Sequence, residues 1–174
     1  LGAVTIVSAL NVTADAAFNA ASLQQSAGTG LTTFTGLVTT TAVAGVSLTG
    51  TGFFVTGGIS TSASGVVTIS GSGSVIISTT GDITADGAVS ITATGSINTA
   101  GDITTTNDNV TFDAWTYLAG PVAISTGSGI GTIAFNSPLS GNATLSLTAG
   151  TGNIDFDDIV VVGLGVTTPL VAVT

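Results

Sequence analysis

Six residue types are missing altogether from this 174-residue chain: Lys, Arg, His, Cys, Met and Glu. Each absence closes a class of chemistry. Without a cation nothing can clamp a phosphate, which excludes nucleic-acid binding and P-loop chemistry. Without His or Cys the customary ligands of zinc, iron and copper are gone, and so are the usual nucleophile–base pairs. Disulfides cannot form, so the cysteine count is silent on redox compartment. Nine Asp supply all the side-chain charge, a formal −9, which repels anionic membranes and acidic polymers. No catalytic role, cofactor or nucleic-acid partner is expected from such a set.

Long hydrophobic runs are also scarce, although the mean hydropathy is high at +0.73. The longest run, residues 159–166, is broken by Gly163 and Gly165 and falls far short of the ~20 residues of a spanning helix. No basic leader opens the chain, and residue 1 is Leu, so a processed product or fragment is expected. An apolar content of 44% argues against disorder. The chain should bury an unusually large share of its surface.

What is present is Gly, Thr, Val, Ala, Ser and Ile in alternation. Val67-Thr68-Ile69-Ser70, Val89-Ser90-Ile91-Thr92 and Leu145-Ser146-Leu147-Thr148 each place apolar and polar residues in turn, bounded by Gly-rich turns. That period of two, rich in β-branched residues, predicts half-buried strands. Ala14 to Gln25 is the one stretch with some helical composition, and strand plus turn is the better reading of it.

A longer period lies over the first. Val46-Ser47-Leu48-Thr49 recurs at 67–70 and 89–92, and Phe34-Thr35-Gly36 returns as Val55-Thr56-Gly57. Gly-Asp-Ile-Thr occupies 81–84 and 101–104. Thr132-Ile133-Ala134-Phe135 maps onto Asn153-Ile154-Asp155-Phe156, and Ile124 onto Leu145, both 21 residues on. A sustained period of 20–22 residues made only of short strands and turns predicts a parallel β-helix. About eight rungs stacked at ~4.8 Å would form a rod roughly 40 Å long. The alternative is a β-sandwich, which shows similar strands but does not require the same strand to recur. Leu1-Gly2-Ala3-Val4-Thr5 also matches Leu170-Val171-Ala172-Val173-Thr174 at four of five positions. Residues 1–174 therefore read as one solenoid module of a ~169-residue tandem or head-to-tail repeat.

The segments QSAGTGLTTFTG, AVAGVSLTGTGF, STAGDITTTNDNVTF and SLTAGTGNIDF resemble repeat modules of giant bacterial surface proteins, the filamentous-haemagglutinin-like and related β-strand-repeat adhesins. The resemblance covers roughly residues 16–174. It implies a right-handed β-helix, an extracellular or cell-surface location, and a structural or adhesive role without catalysis. Two stretches depart from the pattern: Ala114-Trp115-Thr116-Tyr117-Leu118, and the acidic Asp155-Phe156-Asp157-Asp158.

Those departures and the repeated Gly-Asp-Ile-Thr turn hold the candidate sites. Trp115 and Tyr117, the only Trp and Tyr, share a strand face and offer flat rings to sugars, or to a neighbouring module. Asp82 and Asp102 occupy equivalent places one rung apart, where like charges repel unless a calcium ion intervenes or the carboxylates fan into solvent. Asp155, Asp157 and Asp158 raise the same question. Solvated carboxylates are the expected reading at both places, since a calcium loop needs more ligands at defined spacing. Paired carboxyls could suit a glycoside hydrolase, whereas lyase chemistry wants a basic residue that is missing. The sequons at Asn11, Asn109 and Asn142 are as frequent as chance allows.

The function expected is a non-catalytic module of an extracellular adhesin or filament, a stiff rod joined end to end. The absence of Lys and Arg leaves no trypsin-type cleavage site, which suits an exposed rod. Its partners would be copies of itself or adjacent repeat modules, with glycans or a host surface as further partners. The alternatives are a filament or sheath subunit assembled from separate chains, and a carbohydrate-binding module built on Trp115 and Tyr117.

Overall fold

A computed structural model describes residues 1–158 and 160–162. The fold is a parallel β-solenoid with three short strands to each turn, and no helix occurs among the described residues. Every strand pairing among those residues is parallel, which excludes the sandwich.

The first face stacks Ala3–Ile6, Ser22–Gln25, Val46–Gly50, Val67–Gly71, the opening half of Val89–Thr99, the opening half of Val110–Leu118, Ile133–Phe135 and Ile154–Phe156. The second stacks Val12–Ala14, Leu31–Phe34, Gly52–Val55, Val75–Ile77, the closing halves of the same two long strands, Leu139–Gly141 and Val160–Val162. The third stacks Phe18–Ala20, Val38–Thr40, Ile59–Thr61, Ile83–Ala85, Ile103–Thr105, Val122–Ser125 and Leu145–Thr148. Seven full turns are thus followed by the first two strands of an eighth. The stretch from Ala14 to Gln25 is strand and turn, as its Thr and Gly surroundings predict.

Alternation places every second side chain in the interior. In Val67–Gly71, Val67 and Ile69 are fully buried while Thr68 and Ser70 face outward. Stacking in register then turns single residues into files. Val46, Val67, Val89, Val110, Ile133 and Ile154 lie over one another, and beside them run Leu48, Ile69, Ile91, Phe112, Phe135 and Phe156. In the second file the Phe112 and Phe135 rings stack at 4.8 Å between centroids with 3° between planes, and Phe135 and Phe156 at 5.4 Å and 4°. Each fully buried aliphatic or Phe side chain contributes on the order of 1.5–3 kcal/mol, so these files supply the main driving force.

The turns are as close-packed as the core. Gly36 and Gly57 close the corner between the second and third faces, where an added Cβ would run into the backbone of the preceding turn. A side chain there would push adjacent turns apart. Between the third and first faces a buried Thr spans the turn: Thr61 donates to the Gly65 carbonyl, Thr105 to Asp108, and Thr126 to Gly131 at 2.8 Å. Thr40 stands at the equivalent place, paired with Thr61, and its buried hydroxyl has no partner.

One expected correspondence is corrected. Ile124 pairs with Leu147 rather than Leu145, whose partner is Val122. Eight residues separate Ile124 from Ile133, against six between their partners Ile103 and Val110. The longer turn carries Ile130 outward at 79% exposure and moves the register by two. A shift of two keeps inward residues inward, so the alternation survives it. The closing segment Leu170–Thr174, which matches the opening one in sequence, lies outside the described residues.

Candidate interaction surface

Two regions of the rod have chemistry beyond its repeating surface. The first is its opening turn. Among the described residues Ala3–Ile6 and Val12–Ala14 pair on one side only, with Ser22–Gln25 and Leu31–Phe34, and Phe18–Ala20 pairs only with Val38–Thr40. Val4, Ile6, Val12, Ala14 and Phe18 continue the core files but are only half-buried. Leu1, Val7 and Leu10 around them are exposed. An unpaired parallel edge above a half-covered apolar interior is a template for one more turn of the same kind.

The second region lies on the second face, where Trp115 and Tyr117 are 57% and 43% exposed. They share the outer side of Val110–Leu118, as their spacing of two predicts. The Trp115 Nε1–H donates to Ser140 Oγ at 2.8 Å, one turn further on, which ties the indole to the sheet. Ser96 and Asn98 lie beside Trp115 and Tyr117 on the preceding turn. The backbone departs from the pattern of the other turns at the same point. Four positions separate Thr92 from Ser96, but only two separate their partners Asp113 and Trp115. The corner is shortened, and strand runs through it without a break.

Asp82 and Asp102 are brought together as their equivalent positions predict, one turn apart beside the Ile83–Ile103 pair. Each carboxylate accepts a backbone N–H of the following turn: Asp82 Oδ1 from Asp102 at 2.9 Å, and Asp102 Oδ1 from Ala123 at 2.7 Å. These side chains act as an exposed hydrogen-bonded ladder. Asp155 lies within the last first-face strand, Ile154–Phe156, and Asp157 and Asp158 follow its end. Among the described residues no group of three acidic side chains could hold a metal ion.

The ladder extends to residues that sequence reasoning passed over. Asn11 Oδ1 accepts the N–H of Leu31 at 2.9 Å, Asn107 Oδ1 that of Gly129 at 2.6 Å, and Asn109 Oδ1 that of Thr132 at 2.8 Å. Asp86 works in the other direction, accepting from Ser64 of the preceding turn at 2.7 Å. The signal available in the sequence was the placement of Asp or Asn in Gly-rich turns just ahead of a strand, where amides need acceptors.

Comparison with protein-family models, with curated proteins and with solved structures finds no match to any of them.

Proposed function

We propose that this chain is a non-catalytic structural module, a stiff rod that continues end to end into another turn of the same architecture in an extracellular adhesin or filament. The observation that carries this reading is the opening turn, with its unpaired parallel edge and its half-buried Val4, Ile6, Val12 and Phe18. An edge of this kind in an isolated rod invites pairing with whatever strand meets it. A further solenoid turn satisfies the backbone hydrogen bonds and the apolar files together. The partner is an adjacent module or a second copy. The hydroxyl-rich exterior and the absence of a basic cleavage site suit an exposed rod.

The test is electron microscopy and sedimentation of the isolated chain over a concentration series, with Phe18→Asp as the comparison. End joining predicts filaments about as wide as one rod, lost in Phe18→Asp. A chain that stays monomeric at every concentration while keeping its β-sheet circular dichroism would sink the reading. Native material of far higher mass that contains this segment would assign the partner to the same polypeptide. A native mass of 16.6 kDa with filaments would assign it to separate chains.

A further inference from the structure

The second face differs from the other two in the apolar character of its outer side. Its outer side holds Leu31, Phe54, Ile76, Trp115 and Tyr117, of which Leu31 and Ile76 are 44% and 41% exposed. Register joins them across turns: Phe54 pairs with Ile76, Ile76 with Asn98, and Asn98 with Tyr117. Among the described residues no Asp falls in a second-face or third-face strand, whereas Asp113 and Asp155 lie on the first face, and the third face turns mainly Asn, Thr and Ser outward (Asn19, Thr39, Ser60, Thr84, Thr104, Ser146). This chain has no Lys, Arg or His with which a copy could answer an Asp. Contact between two copies through the first face therefore sets carboxylate against carboxylate, and contact through the third buries little apolar area because its outward side chains are mostly Thr and Ser. Contact through the second face sets apolar and neutral hydroxyl groups against their like.

We propose that the second face is a lateral packing surface for a second copy of this chain, so that rods lie side by side through Ile76, Trp115, Tyr117 and their neighbours. This goes beyond end joining and uses a different surface. Two flat sheets meeting face to face pack about 10 Å apart, with outward side chains interleaved. The face measures roughly 35 Å by 12 Å, on the order of 400 Å² a side from strand spacing and rise. A stable interface buries about 800 Å² a side. One pair of single modules is therefore held weakly. Rods extended by end joining add area with every module, and lateral cohesion grows with their length.

Trp115 supplies the readout, because it is the only Trp and lies on the side of the rod, away from the opening turn. Its emission and its quenching by neutral acrylamide are followed against protein concentration up to about 1 mM, at low and high sodium chloride, with sedimentation in parallel. Lateral packing predicts a blue shift and loss of quenching as dimers form, both strengthened by salt that screens the nine carboxylates. Ile76→Asp weakens the association by on the order of tenfold or more, while Thr104→Asp on the third face adds the same charge and leaves it unchanged. Ile76→Ser, which copies the hydroxyl character of neighbouring positions, guards against misfolding and gives a smaller loss in the same direction.

Trp115 remaining open to acrylamide at every concentration and salt level would overturn the proposal. So would a Trp115 shift that appears only when a neutral polysaccharide is added to monomeric protein, which would assign the face to glycans. Filaments that form with Trp115 still open would leave end joining standing and remove lateral packing.

Discussion

Asp82 and Asp102 stand one turn apart with like charge, yet the carboxylate of Asp82 accepts the backbone N–H of Asp102 at 2.9 Å. The attraction between carboxylate and amide opposes the repulsion between the two carboxylates. An exposed pair of this kind is worth little net, so the balance can be read by changing one component at a time.

Asp82→Asn keeps an oxygen for the Asp102 amide and removes the repulsion, and is expected to match or exceed the parent in stability. Asp82→Ala loses the acceptor and is expected to cost at most about 1 kcal/mol. Thermal unfolding with and without added salt separates the two. Salt should raise the parent's Tm more than that of Asp82→Asn.

The turn-spanning threonines give a paired prediction. Thr126→Val leaves the buried Gly131 carbonyl without its 2.8 Å donor and should destabilise by about 1 kcal/mol. Thr40→Val removes a buried hydroxyl that has no partner, so the same substitution should be neutral or stabilising there. Opposite signs in urea denaturation are the expected outcome. Equal losses would show that Thr40 is satisfied in solution.

Phe135 lies between the Phe112 and Phe156 rings and is fully buried. Phe135→Ala should cost about 3–5 kcal/mol through lost burial and the cavity left behind. Phe135→Leu should cost less, because Leu48 occupies the same file four turns earlier. Denaturant midpoints at constant slope would check both.

Gly57→Ala places a methyl group against the backbone of Gly36 on the preceding turn. The expected loss is in the range of about 1–3 kcal/mol for overpacking, or failure to fold. Gly2→Ala has open space around it and should be silent in the same assay.

Much of this architecture can be read from the residues alone. The correspondences of 46–49 with 67–70 and 89–92, and of 132–135 with 153–156, are the observed registers. They were legible because each turn is the packing surface of the next, so like residues recur where they touch. The pairing of Ile124 was misread because a turn of two extra residues hides inside a Gly-Ser run. Ile130 in that run faces outward, and the shift of two leaves every flanking strand residue on its own side. Trp115 and Tyr117 stood out by type, and their common exposed face followed from strand geometry.

The apolar–polar alternation and the repeat of about 21 residues dictated the strands, the inward set of side chains and the stacked solenoid. Both patterns are local or nearly so, and an interior built from equivalent positions writes them into the chain again and again. The roles of the outward polar groups and the character of each face were decided only in three dimensions. Leu31, Phe54, Ile76, Trp115 and Tyr117 come from four separate turns, and only stacking gathers them on one face. The Asp82 and Asn109 oxygens found their amides in the same way. An exposed side chain's partner is set by turn lengths on the neighbouring coil, and a period averaged over the chain does not contain them.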